Sequence, residues 1–454
     1  VIFAAILIPP SNPVFVQLPY VQLGNRTSGR SNELAIAWHA PNNSMRYALE
    51  YRQKGDWKTA GNLTTRWVSL PKVDSFRVVR GDLKNLIEGE TVQYRVLANG
   101  NVAFEAATVA PRGENETQTF AVFGDCGRGT SAQSHIAYQT YVKRPDYVVM
   151  TGDIVYNSGR ISEYAKNYFP YYNANSALRS IGSPLLRSTL TVGAAGNHDI
   201  LDRDFAKNPD ALAFFLYWIQ PLNGPLTEDG DPLTPTLSGP LESQTAFKAA
   251  AGSAYPRGAN FSFDYGNAHW TVLDANRYVN WSNPKLREWL ANDLKKAQGK
   301  TWRFVALHQP PFHSSATHQG EKQIRAVADI FEKGNVDVVF GGHVHNFQRT
   351  YPIQLGNKNV ADVADREKND WPLDKSYDGV KITKPKGVIY IVDGAGGAPM
   401  YNTELNNAPD KWLPFTQNYI ADFGFSLVKV TGRKFALEQV DRFGKTVDAI
   451  TITK

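Results

Sequence analysis

Short apolar runs, most of them followed at once by glycine with Asp, Asn or His, constrain this chain more than any other feature. They lie at 119–123, 147–150, 190–195, 302–307 and 336–340, with a further run at 388–392. Runs of this length, bounded by turn residues, fit buried strands better than helices. Between them, Leu286, Trp289, Leu290 and Leu294 share one helical face, as do Ile324, Val327, Ala328 and Phe331. Such strand–helix alternation predicts an α/β core with largely parallel pairing. The tail, with runs at 424–430, 435–440 and 446–452, reads as a strand meander.

A chain of 454 residues exceeds one ordinary core, so two or three domains are expected. Residues 15–111 read as a small all-β unit. Alternation in Leu34-Ala35-Ile36-Ala37-Trp38, around Tyr47 to Tyr51 and from Val92 to Val96 is broken by turn signals such as Lys54-Gly55-Asp56. The spacing suggests a β-sandwich that docks or spaces rather than catalyses. Residues 111–117 are polar and turn-rich and serve as a linker, so the second domain is taken as 112–454. Within it, 202–256 breaks the rhythm, being rich in proline, glycine, threonine and serine after the aromatic patch 214–218. A loop this long either borders a site or is a surface insertion. Residues 1–14 form an extension whose apolar start, 1–8, reads as the remnant of a processed leader or as an edge strand. No run is long enough to span a membrane as a helix.

Five motifs stand at or just after ends of the apolar runs: Gly124-Asp125-Cys126-Gly127, Gly152-Asp153-Ile154-Val155-Tyr156, Gly196-Asn197-His198-Asp199, Val305-Ala306-Leu307-His308 and Gly342-His343-Val344-His345. Open α/β sheets bind ligands beyond the carboxyl ends of their strands. Glycine permits the sharp turns and close backbone approach that gather several donors at one point. The motifs supply oxygen from Asp125, Asp153 and Tyr156, an amide from Asn197, and imidazoles from His308, His343 and His345. Seven donors are too many for one small ion. With Asp153 shared, they divide into two sites of four. The absence of thiolate suits Fe, Zn or Mn. A phenol is a poor ligand at neutral pH except beside a strongly Lewis-acidic ion such as Fe(III), which is the role Tyr156 would take.

In this order the five motifs resemble those of the purple acid phosphatases, within the binuclear metallophosphoesterase superfamily. The N-terminal unit, through the segment Leu86-Ile87-Glu88-Gly89-Glu90-Thr91-Val92-Gln93-Tyr94-Arg95-Val96, resembles a fibronectin type III domain, although Val92 stands where that family has its corner tyrosine. The resemblance implies a metallophosphoesterase-type β-sandwich core flanked by helices, preceded by the small all-β domain. It further implies that Asp125, Asp153, Tyr156 and His345 hold Fe(III), and that Asp153, Asn197, His308 and His343 hold a divalent Fe, Zn or Mn ion. The activity it implies is hydrolysis of small phosphate monoesters by a metal-held hydroxide, with an acidic optimum. A phosphodiesterase or nucleotide pyrophosphatase on the same scaffold is the nearest alternative. An extracellular binding protein with a vestigial metal domain is the alternative from another class.

Each donor also has a plain structural reading: Asp125 and Asp153 as turn formers, Asn197 as a helix cap, His343 and His345 as lining of a polar core. His198, next to Asn197 yet not needed as a ligand, is the expected proton donor. Of the two histidines that follow His308, His318 matches the family's position by offset better than His313 and is taken as the second catalytic residue. His39, His135 and His269 lie outside the motifs and are expected to be structural. Cys126 is expected to be a small buried side chain, and Arg349 is a candidate phosphate contact.

Net charge is +6 with pI near 9.0, but no block of like charge accompanies it, so nucleic acid is not indicated as a partner. The single cysteine excludes an internal disulfide. Glycosylation sequons at Asn25, Asn42, Asn62, Asn115, Asn260 and Asn280 are compatible with export, and a secreted or periplasmic location is expected.

Overall fold

The computed structural model describes residues 14–25, 32–225, 233–355 and 371–454. The expected extension at 1–14 lies outside them except for Val14.

The first eight strands are β1 (Gln17–Gln22), β2 (Leu34–Pro41), β3 (Tyr47–Arg52), β4 (Lys58–Thr59), β5 (Thr64–Val68), β6 (Phe76–Leu83), β7 (Thr91–Ala98) and β8 (Asn101–Val109). They form two four-stranded antiparallel sheets, ordered β1-β2-β6-β5 and β4-β3-β7-β8. Trp38, Leu49, Val79, Val92 and Val96 are fully buried among the hydrophobic side chains of this unit. Tyr94, two residues beyond the expected corner position, instead reaches out of the unit: its hydroxyl donates to the carbonyl of Arg187 at 2.7 Å. Arg66 makes a second tie, donating to the carbonyl of Ala251 at 2.9 Å.

Among the described residues thirteen further strands follow. They are β9 (Gln118–Phe123), β10 (Tyr147–Met150), β11 (Leu190–Gly193), β12 (Phe261–Tyr265), β13 (Ala268–Val272), β14 (Trp302–Ala306), β15 (Val338–Gly341), β16 (Phe347–Thr350), β17 (Ile389–Asp393), β18 (Thr416–Ile420), β19 (Gly424–Thr431), β20 (Lys434–Asp441) and β21 (Thr446–Thr453). One sheet runs β11-β10-β9-β19-β20-β21, the other β12-β13-β14-β15-β17-β16-β18. Pairing is parallel among β9, β10 and β11, which form one half of the first sheet, and among β13, β14, β15 and β17 in the middle of the second; the remaining pairs are antiparallel. The six apolar runs expected to pair in parallel do so, as β9, β10 and β11 in one sheet and β14, β15 and β17 in the other, and the tail is the expected antiparallel meander. The tail meander adds by hairpins, and β16 and β18 enter the second sheet antiparallel. The sheets face one another through aromatic rings: Phe120 on β9 lies 5.2 Å from Trp270 and 5.6 Å from Phe304, and Phe435 on β20 lies 5.7 Å from Phe304.

The helix Pro284–Lys296 shows why the flanking layer forms. Asn283 caps it, accepting from the amide of Lys285 at 2.9 Å, and Pro284 opens its first turn. Leu286, Leu290 and Leu294 then bury one stripe, each such burial contributing about 2 kcal/mol. The second expected helix is different. Ile324 and Val327 lie in a tight 3-10 segment, Gln323–Val327, and the α-helix itself is only Ala328–Lys333. The segment 202–256 is not one open loop: it carries the helices Ala213–Tyr217, every residue of which is buried, and Leu241–Ala251.

Candidate metal centre

The five motifs leave the carboxyl ends of β9, β10, β11, β14 and β15 at one edge of the sandwich. Their loops are sharply bent. Asp125, Asp153 and His343 take left-handed backbone angles, with φ of 57°, 49° and 67°. For residues other than glycine this conformation costs about 1–2 kcal/mol each, and it clusters at functional sites. Bonds between loops hold it. Asp125 N donates to Gly152 O at 2.9 Å, Cys126 N to Asp153 O at 3.2 Å, and His343 N to Asp125 Oδ2 at 2.6 Å. The loops pack so tightly that a Cβ on Gly196 would lie 2.1 Å from the amide nitrogen of Asp153, and one on Gly152 2.6 Å from His308 Nδ1.

The seven expected donors meet there. In one group, Tyr156 Oη donates to Asp125 Oδ1 at 3.0 Å and lies 3.2 Å from His345 Nε2, which is 3.3 Å from Asp125 Oδ1. In the other, His308 Nε2 lies 3.2 Å from Asp153 Oδ1 and 3.0 Å from Asn197 Oδ1. A ligand atom of His343 falls within 4.8 Å of those of Asp153 and His308. Asp125, Asp153, His308, His343 and His345 are all buried.

Each histidine has one nitrogen tied and one turned inward, as ligation requires. His308 Nδ1 is 2.7 Å from Thr151 O, leaving Nε2. His345 Nδ1 is 2.7 Å from Pro399 O, again leaving Nε2. His343 Nε2 is 3.2 Å from Glu321 Oε2, leaving Nδ1. The charges fit a cation too. Burial opposes ionisation of both members of the Asp153–His308 pair, yet their mutual attraction prevails: Asp153 is held below the usual carboxylate range and His308 is pushed up to about 10. Protons thus balance buried carboxylates that have no Lys or Arg partner among the described residues. Burial, together with Asp125 and Asp153, holds the Tyr156 phenol well above its ordinary value.

His198 and His318 flank the cluster. His198 Nδ1 is 2.7 Å from Asn157 O, and its Nε2 lies 4.0 Å from Asp153 Oδ2. The His318 ring sits 3.9 Å from that of His343, with Nδ1 2.9 Å from Glu321 Oε1. His313 is buried with Nδ1 unbonded, and burial lowers it to about 3. Cys126 is fully buried. Arg349 does not face the cluster: it pairs with Asp448 at 2.9 Å and with Gln417 across β16 and its neighbours, which corrects its expected role. Asn197 is not the helix cap: Gly196 takes that place ahead of the short helix Asn197–Ile200, with Asp199 accepting from Gly196 N at 2.9 Å.

Two participants escaped the sequence reading. Asp199 also accepts from Ile154 N at 3.1 Å and Val155 N at 3.4 Å, tying the Asp153 loop to the Asn197 loop. Burial and the neighbouring Asp153 raise its carboxyl to about 8. Glu321 joins His318, His343 and Arg277. Its signal was the spacing His318-x-x-Glu321, a histidine and a carboxylate three residues apart.

A two-sheet core with metal-type donors gathered at its strand ends defines a metallophosphoesterase, and the family model of the calcineurin-like phosphoesterases matches residues 118–347. The chain belongs to that family. Within it, the curated relatives include purple acid phosphatases. A probable inactive purple acid phosphatase 27 of Arabidopsis thaliana is 25% identical over 382 residues, 77% of this chain and 52% of that protein. Purple acid phosphatase 22 of the same plant is 24% identical over 70% of this chain and 64% of its own length. The chain spans about half the length of several of the curated relatives it matches. Among solved structures, a purple acid phosphatase from yellow lupin seeds shares the fold with a TM-score of 0.66 at 17% identity, over 97% of this chain and 75% of that one. PhoD shares it with a TM-score of 0.56 at 15% identity, over 97% and 94%.

Proposed function

We propose that the chain hydrolyses phosphate monoesters at a binuclear metal centre in which Asp125, Tyr156 and His345 hold Fe(III), Asn197, His308 and His343 hold a divalent Fe, Zn or Mn ion, and Asp153 is shared. The observation that carries this is the convergence of seven donors from five strand ends, with every histidine tied through its other nitrogen. Bound there, a metal pair supplies Lewis-acid polarisation of the phosphoryl oxygens and a water acidic enough to attack phosphorus. His198, fixed through Nδ1, presents Nε2 to the cluster and is placed to give a proton to the leaving oxygen. His318, oriented by Glu321, lines the other flank and contacts the ester.

An acidic optimum belongs to this reading, in keeping with relatives named acid phosphatase. Two matched relatives are named probable inactive, so it is the donor cluster, not the fold, that supports activity here. A secreted or periplasmic location is part of the proposal, supported by sequons on exposed Asn42 and Asn62. Asn260, whose side chain accepts from Asp274 N at 2.9 Å, is buried and closed to glycosylation.

The test combines metal content, a visible spectrum and turnover of phenyl phosphate against a bis-aryl phosphate diester. Iron with a charge-transfer band that disappears in Tyr156→Phe, and faster monoester turnover, are expected. Faster diester turnover would replace the monoesterase by a phosphodiesterase. A metal-loaded protein inert to both esters would leave the binding-protein alternative.

A further inference from the structure

Beside Asn197 and His343 the surface opens into a cavity of about 290 Å³. That is more space than a phosphoryl group alone occupies. Ile200, Leu201 and Tyr278 give it apolar walls, while Arg203 and Arg277 bring guanidinium groups. The Arg203 guanidinium lies 5.5 Å from the centre of the Tyr278 ring, and among the described residues no carboxylate pairs with it. Arg277 Nη2 is 2.7 Å from Glu321 Oε1, with 75% of its side chain exposed. Glu321 is shared with His318 and His343, so it does not answer both guanidinium groups.

A guanidinium in a partly enclosed pocket selects carboxylate or phosphate through paired hydrogen bonds. Apolar walls lining the same cavity as the metal-binding side chains suit a hydrocarbon or flat body. We infer that the preferred ester has a leaving group bearing its own anionic group, a carboxylate or a second phosphate, which Arg203 recognises with Arg277 beside it. Arg203 is then a specificity-determining residue, and it places the start of the 202–256 segment at the site. The inference rests on the monoesterase reading and narrows its substrate class.

The experiment measures calorimetric affinity of the metal-loaded protein for phenylphosphonate and 4-carboxyphenylphosphonate, which are not hydrolysed. The carboxylated compound is expected to bind about tenfold tighter or better. In Arg203→Gln the ratio is expected to fall to about two or less, and Arg277→Gln to lower it in the same direction. Arg203→Lys, which keeps the charge and loses the fork, serves if the first variant does not fold, and should give an intermediate ratio. Affinities equal to that of phenylphosphonate for both the carboxylated and a diphosphate-bearing probe in the unaltered protein, or a ratio unmoved by the Arg203 variants, overturn the inference. Failure of the unaltered protein to hydrolyse phenyl phosphate would instead overturn the monoesterase reading, and the affinity ratio reads separately from it. A diphosphate-bearing probe that shows the ratio where the carboxylate does not would identify a second phosphate as the recognised group.

Discussion

The amide of His343 donates to Oδ2 of Asp125 at 2.6 Å, fastening the loop after β15 to the loop after β9. One oxygen of Asp125 is thus spent on backbone, while the other faces Tyr156 and His345. The carboxylate is both a proposed ligand and the peg that sets the angle between two loops.

Replacing Asp125 by Asn separates these roles. The amide oxygen can still accept from His343, but a buried negative charge is gone. We expect metal content and monoester turnover to fall about 100-fold or more, as loss of a ligand should cost at least as much as loss of an outer-shell partner. Metal-free Asp125→Asn should melt about 2 °C higher than the unaltered metal-free protein, because a buried charge offset only by neighbouring imidazoles, with no Lys or Arg partner among the described residues, is destabilising. A lower melting temperature in the metal-free variant would show that the peg outweighs the charge.

Asp199 reaches three amides on two loops and touches no proposed substrate position. Asp199→Ala leaves buried donors without an acceptor, which costs about 1–3 kcal/mol. Metal affinity should drop about 10–100-fold as the Asp153 and Asn197 loops loosen. Metal titration and thermal unfolding of the same preparation check both effects. Loss of stability with unchanged affinity would make Asp199 a fold residue only.

His269 lies between Asp264, at 2.6 Å, and Asp293, at 3.1 Å. Burial opposes its charge, but the two carboxylates outweigh it and raise the imidazole to about 9 from 6.5. Because the folded value is raised, the stabilisation is fully present below about pH 6.5 and is lost as pH climbs through about 9. We expect His269→Gln to cost about 3 kcal/mol near pH 6 and little near pH 10. Denaturant unfolding at both pH values decides it; a difference independent of pH would assign the effect to packing.

Arg349, paired with Asp448 and Gln417, should matter for folding alone. Breaking a buried pair costs about 3–5 kcal/mol, so Arg349→Met should lower the melting temperature and leave kcat/KM for phenyl phosphate unchanged. A raised KM at unchanged stability would return this side chain to the substrate.

Much of the centre was legible because its donors sit in short motifs at strand ends, where local sequence and local geometry coincide. The apolar run 147–150 is strand β10, and Thr119 to Phe123 lies within β9. What escaped depends on partners distant in sequence. Arg349 follows the last motif by only four residues, yet its direction is set by Asp448 on β21. Glu321 gains its meaning from His343, 22 residues away. The sequence reading named no strand at β16 or β18, which enter the second sheet antiparallel beside β17 and each other. The helix Leu241–Ala251 was hidden by the proline- and glycine-rich residues before it.

β9, whose following loop carries Asp125, is flanked on one side by β10 and on the other by β19, Val122 pairing with Ser426. During synthesis, therefore, that edge cannot close until β19, about 300 residues further along, has emerged. Until residue 431 emerges, β9 exposes unpaired peptide groups that invite association with other chains. A chain truncated ahead of β19 should then aggregate instead of yielding a smaller folded protein.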